Sequence, residues 1–105
     1  MNNNSENITQ EIKKAVHQLV PDAKISLFGS RAGENYTDES DWDILIISDA
    51  KIEMEQKSKI RNALYNITLQ RGTYFDLVIS HKNEWNHTGK YYSLQQTIGN
   101  NFKLL

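Results

Sequence analysis

From Ile8 onward, apolar residues recur at helical spacing. Ile8, Ile12, Ala15, Val16 and Leu19 share one side of a 3.6-residue period, with charged and amide side chains between them. Pro21 bounds this helix, because proline has no amide hydrogen to donate and restricts the residue before it. Residues 1–5, rich in Asn and Ser, are expected to fray from its start. The pattern changes over Lys24 to Phe28, where Ile25, Leu27 and Phe28 mark a short strand. Gly29 to Gly33 turns the chain, with room for one or two turns of helix. Glu34 to Ser40 is a polar loop rich in turn formers.

Asp41 to Ser48 is the strongest strand. Its unbroken run Ile44 to Ile47 predicts cover on both faces. Asp49 to Gly72 reads as a long helix, with Ile60, Leu64 and Ile67 as its apolar stripe, Ala63 beside them and Gly72 at the C-terminal cap. Thr73 to Ser80 is a third strand, with Phe75, Leu77 and Ile79 on one face and Asp76 and Val78 on the other. Lys82 to Thr88 reads as a polar connection and Gly89 to Ile98 as a final helix. Phe102, Leu104 and Leu105 form a tail that packs back. This order predicts an α+β fold, a small mixed β-sheet flanked by helices. No repeat or linker divides the 105 residues, which suit a single domain with one modest core.

Composition narrows the function. A formal net charge of −1, with no basic face, argues against nucleic acid as a partner. Without cysteine there is no disulfide, thiolate metal site or thiol nucleophile. Met1 to Asn7 is polar, unlike a signal peptide, and no apolar run approaches the roughly 20 residues of a membrane span. A soluble cytoplasmic protein is expected.

The candidate chemistry is acidic. Asp41 and Asp43 lie two apart at the start of a strand, so both carboxylates project to one face. They repel unless something positive lies between them, and magnesium is the economical answer, since it takes hard oxygen ligands together with substrate phosphates. Asp76 begins the next strand's apolar part. If that strand is a neighbour, three carboxylates could hold two metal ions about 3.5–4 Å apart, as in in-line displacement at phosphorus. Gly29 permits close backbone approach, Ser30 offers a hydroxyl and an amide, and Arg31 adds a fixed positive charge suited to phosphate. No Gly-Lys-Ser/Thr follows, so this is not a Walker A loop. Each feature alone has an ordinary explanation: a capped turn, or a solvated loop entering a strand. His17, His81 and His87 fit no zinc spacing. Trp42 reads as a packing residue, Tyr91 and Tyr92 as buried aromatics, and Lys57, Lys59 and Arg61 as a solvated helix face.

Taken together, Gly29-Ser30-Arg31-Ala32, Ser40-Asp41-Trp42-Asp43 and Asp76 resemble the signature of the DNA polymerase beta-like nucleotidyltransferases, and within them the minimal nucleotidyltransferases. The twelve-residue step from Gly29 to Asp41 is similar to the family's spacing. The resemblance spans Ile8 to Ile79. It implies transfer of a nucleoside monophosphate from ATP or another nucleoside triphosphate to an acceptor, with release of pyrophosphate. It assigns Gly29, Ser30 and Arg31 to nucleotide binding, and Asp41, Asp43 and Asp76 to two Mg2+ ions and catalysis. Minimal members often read Gly-Ser-Arg-Ala-Arg-Gly. Here Gly33 and Glu34 follow Ala32, so the second arginine is missing.

The resemblance also implies a partner. Minimal members often act as antitoxins toward an all-helical HEPN-type toxin, a ribonuclease that they inactivate by adding AMP to a tyrosine, and so work in homo- or hetero-oligomers. Two other functions fit the same residues: a module that neutralises its partner by contact alone, and a small-molecule nucleotidyltransferase of the aminoglycoside-modifying kind.

Overall fold

The computed structural model describes residues 4–33, 36–37 and 41–105. Helix α1 spans Asn4–Leu19 and strand β1 spans Lys24–Phe28, followed by a single 3-10 turn at Gly29–Ala32. Strand β2 (Trp42–Ser48), helix α2 (Met54–Arg71) and strand β3 (Phe75–His81) come next. Two short helices, α3 (Lys82–His87) and α4 (Tyr92–Ile98), lead to a three-residue strand β4 (Phe102–Leu104). The sheet order is β3-β2-β1-β4. Strands β2 and β3 are parallel and the other two pairings antiparallel, so the sheet is mixed. A parallel pair needs a crossover, and α2 supplies it.

The core lies between the sheet and α1 with α2. Ile8, Ile12 and Val16 from α1, and Ile60, Leu64 and Ile67 from α2, close over Ile25, Leu27, Ile44, Ile46 and Ile79. Fully burying each such side chain is worth about 1.5–3 kcal/mol. Alternation along β2 turns Asp43, Leu45 and Ile47 to the opposite face. There Trp85 of α3 and Ile98 of α4 help form a groove over Leu45 and Ile47. Leu45 is buried and Ile47 half-buried, so the run Ile44 to Ile47 does meet cover on both faces.

Several expected boundaries shift. Asn4 and Ser5 already belong to α1, whereas residues 1–3 of the expected frayed segment lie outside the described residues. So do Glu34, Asn35 and residues 38–40 of the expected polar loop, Ser40 of the motif among them. Helix α2 begins at Met54 rather than Asp49. The Asp49 amide donates to the Asp22 carboxylate at 2.8 Å, Lys82 pairs with Asp49 at 2.7 Å, and the Ser48 hydroxyl donates to the Ala50 carbonyl, which holds the segment outside a helix. Gly72 caps α2 as expected, at φ 69°, donating to the Thr68 carbonyl.

The stretch expected to be a polar connection contains α3 instead. The Ser80 hydroxyl donates to Glu84 at 2.7 Å, Gln95 donates to the Trp85 carbonyl at 2.6 Å, and Trp85 stacks on Tyr91 at 5.3 Å. These contacts come from neighbouring elements, which a periodic pattern cannot report. Tyr91 is half-buried as expected, but Tyr92 is exposed. Helix α4 starts at Tyr92 rather than Gly89, and the expected packing tail is the edge strand β4. Phe102 and Leu104 remain exposed on that edge, while Leu105 packs against the core. His17 ties α1 to the following turn, its Nε2 lying 2.9 Å from the Ala23 carbonyl. Among the described residues, no helix is long and apolar enough to cross a membrane.

Candidate active site

The parallel register of β2 and β3 sets Asp43 directly opposite Asp76 and Trp42 opposite Phe75. Residues in register across a pair share a face, so both carboxyl groups stand on the side away from α1 and α2. Trp42 takes the other face, 3 % exposed, with its ring edge-on to Phe75 at 5.9 Å. A hydrophobic pair thus anchors the strand start that presents the acidic pair.

Asp43 is half-buried and Asp76 exposed, and the two carboxyl groups act on each other. The pKa of Asp43 is accordingly raised above its ordinary 3.8, first by burial, then by the charge of Asp76 and the hydrogen bond to it, and last by the charge of Asp41. Asp41, exposed just before β2, therefore acts on the pair through its charge. Among the described residues, no group of three acidic or histidine side chains is gathered closely enough to form a ready-made metal cage. The donor set is nevertheless one of hard oxygens under mutual repulsion, and it fits Mg2+.

The turn after β1 meets this pair. Gly29 sits at φ 70°, a conformation that L side chains rarely adopt, and a Cβ added there would collide with the Asp43 carboxylate. The backbone therefore favours glycine here, and a side chain would also have to displace the Asp43 carboxylate. Ser30 is exposed beside it and accepts a hydrogen bond from the Gly33 amide at 3.3 Å. The turn is a single 3-10 turn, so the helix-dipole argument for phosphate does not carry over. What remains is exposed backbone and a hydroxyl next to the acidic pair.

Arg31 is not brought to this place. It is 4 % exposed and lies on the α1 side, with its guanidinium 4.2 Å over the Trp42 ring and 5.0 Å over that of Tyr36. It donates to the Thr37 carbonyl at 3.3 Å. Its fixed charge braces the chain that enters β2.

Two clefts lie on opposite faces of the sheet near these residues. One, of about 460 Å³, lies between the Gly29–Gly33 turn and the end of α4, with Asp43 on its wall and Thr97 and Asn101 opposite. The other, of about 310 Å³, lies between α2 and the start of β3 and reaches Asp76. Its walls are Arg61, Tyr65, Thr68 and Tyr74. Sequence reasoning missed Thr97, Asn101, Tyr65 and Tyr74. The available signal was apolar side chains on α2 off the buried stripe, at Met54, Tyr65 and Leu69.

A family model described as nucleotidyltransferase domain matches residues 9–97. The chain is also similar to a crystal structure provisionally named a nucleotidyltransferase. The likeness is 27 % identity and a TM-score of 0.55, over 92 % of this chain and 96 % of that one. No curated protein sequence matches the chain. The matched span takes in the Gly29 turn, Asp41, Asp43, Asp76 and all but the last residue of α4.

Proposed function

The chain belongs to the nucleotidyltransferase domain family and its reaction class is nucleotidyl transfer; on that premise we propose that it moves AMP from ATP to an acceptor hydroxyl and releases pyrophosphate. The observation that carries this reading is the Asp43–Asp76 pair, held in register by a parallel β-pair and pressed against the Gly29 turn. A pair of carboxyl groups beside a cleft has a use where phosphate and cations are handled together.

The donor enters the cleft beside Gly29 and Ser30. The missing Cβ at Gly29 leaves room next to Asp43, and the Ser30 hydroxyl and exposed backbone hold phosphate oxygens. The acceptor approaches Asp76 along the open edge of β3, the outermost strand of the sheet. Its hydroxyl proton passes to the Asp76 carboxylate as its oxygen bonds to the α-phosphorus. The bond from that phosphorus to the bridging oxygen breaks, and pyrophosphate leaves with the electron pair. Asp41, Asp43 and Asp76 would hold two Mg2+ ions, which would neutralise phosphate charge and favour the ionised hydroxyl. Arg31 is a positioning residue, because it packs on Trp42, the residue between Asp41 and Asp43.

The likeness of the Gly-Ser-Arg-Ala and Asp-Trp-Asp motifs to the minimal nucleotidyltransferases supports a partner of the HEPN type and an antitoxin role. The test is the mass of a HEPN-type helical protein encoded by a neighbouring reading frame, after incubation with this chain, ATP and Mg2+. A gain of one AMP is expected with wild type and not with Asp76→Asn. An active partner that stays unmodified contradicts the reading.

One observation favours neutralisation by contact alone: the acidic groups form a pair and not a cage among the described residues. An Asp41→Asn, Asp43→Asn double variant decides between the two. Loss of neutralisation marks catalysis, and unchanged neutralisation marks binding.

A further inference from the structure

The strand pairings lay one row of side chains across the whole sheet. Phe102 of β4 pairs with Phe28 of β1, Phe28 with Asp43 of β2, and Asp43 with Asp76 of β3. Residues in register share a face, so two aromatic side chains continue the line of the two carboxyl groups. At a strand spacing of about 4.8 Å, Phe28 is the immediate neighbour of Asp43 and Phe102 stands about 10 Å from it. Phe28 also leads directly into the Gly29 turn. It lines the cleft of about 460 Å³ that Asp43 and this turn share.

The opposite wall of the cleft is the end of α4. Ile98, buried, adds a second apolar surface. The Gly99 amide closes α4 by donating to the Gln95 carbonyl at 2.9 Å, and the Asn101 amide donates to the Ile98 carbonyl at 2.8 Å. This turn fixes the backbone of Asn101 on the cleft wall. Among the described residues, no partner takes its side-chain amide, which offers a donor and an acceptor side by side. The Thr97 hydroxyl, by contrast, is spent on the Ser93 carbonyl at 3.0 Å. Among the described residues no cation lines the cleft.

We propose that the end of this cleft formed by Phe28, Ile98 and Asn101 is the nucleobase subsite of the donor, and that the Asn101 amide selects adenine. The proposal rests on the nucleotidyl-transfer reading and adds the residues that choose the donor's base. An apolar end without a cation suits an uncharged ring better than a phosphate, which belongs beside Ser30 and Asp43. The Phe28 ring gives the base a face to stack on, in line with the carboxyl groups that serve the α-phosphate. Adenine sets its 6-amino donor beside a ring-nitrogen acceptor, the pattern that an asparagine amide matches with two hydrogen bonds. An apolar cleft with a few placed polar groups is the usual form of a small-ligand site, where the polar groups set specificity.

The test is equilibrium binding to the full chain, in Mg2+, of ATP and of purine riboside triphosphate, the same nucleotide without the 6-amino group. Three forms are compared: wild type, Asn101→Ala and Phe28→Leu. Asn101 is exposed, and an unchanged unfolding temperature verifies that each variant is folded. Wild type is expected to bind ATP about tenfold tighter than the analogue. Asn101→Ala should bring the two within about twofold, by weakening ATP and leaving the analogue nearly unchanged. Phe28→Leu should weaken both about fivefold or more and keep their ratio. A structural role for Asn101 would weaken both nucleotides alike, so the ratio separates reading from folding. A wild-type ratio in folded Asn101→Ala, or no preference in wild type, overturns the adenine assignment and leaves nucleotidyl transfer intact. Unchanged affinities in Phe28→Leu overturn the stacking floor. Binding of neither nucleotide by wild type overturns the transfer reading and this subsite with it.

Discussion

At Asp43 the structure sets stability against use. Its folded-state pKa is raised, so the protonated form fits the fold better than the charged one. Stability from this group is full below the unfolded value of 3.8 and is lost as pH rises through the higher folded value. The side-chain amide introduced by Asp43→Asn does not titrate. That variant is therefore expected to melt higher than wild type at pH 7, with the gap closing as pH falls toward 3.8. The same change should lower nucleotidyl transfer about 100-fold or more. Thermal unfolding across pH, with activity measured in parallel, checks both. Gly29→Ala acts on the same carboxylate from the other side. It meets a positive φ and the Asp43 oxygen, so a destabilisation of about 1 kcal/mol or more and a loss of activity are expected from urea unfolding and turnover. Arg31 shows how a residue's type can be legible while its role is not. A guanidinium after a Gly-Ser turn suits phosphate, yet here the rings of Trp42 and Tyr36 bracket it. Tyr36 is five residues further along, beyond any local pattern. Arg31→Met should cost about 2 kcal/mol by urea unfolding through lost stacking, with Lys a poor substitute.

At the scale of elements, periodicity revealed what periodicity creates. Helix α1, β2, the body of α2 and β3 each carry a repeat long enough to read, and the Gly72 cap is a local rule obeyed locally. Helix α3 and strand β4 span 6 and 3 residues, and neither carries a face of its own. Both exist because of partners. Ser80, fully buried, bonds Glu84 to start α3, and β4 forms by pairing along β1. Glu84→Ala leaves the buried Ser80 hydroxyl without this acceptor. It should cost about 1–3 kcal/mol, with faster hydrogen exchange in α3 ahead of the remaining structure. The expected polar connection failed for the same reason: Lys82 to Thr88 is polar in composition, and its order comes from Trp85 stacking on Tyr91.

Across the whole molecule, the sheet brings distant parts of the chain to one place. The Gly29 turn ends β1, Asp43 starts β2, and Asp76 starts β3 after the α2 crossover. Their motifs were legible in sequence as separate weak signals. Their meeting required the parallel register, which the pattern of elements permits but does not fix. The clefts on either side of the pair were not legible, since Thr97, Asn101, Tyr65 and Tyr74 follow no motif. If the pair binds Mg2+, ten times the dissociation constant of the ion should stabilise wild type by about 1.4 kcal/mol, a rise of several degrees in melting temperature. Asp43→Asn should lose most of that rise. The central claim is that Asp43 and Asp76 carry nucleotidyl transfer, and single-turnover release of pyrophosphate from ATP with Mg2+ and acceptor tests it most directly. Wild type should release one pyrophosphate per AMP transferred, and Asp43→Asn and Asp76→Asn should each be slower by about 100-fold or more. Pyrophosphate release at the wild-type rate by either folded variant would contradict it.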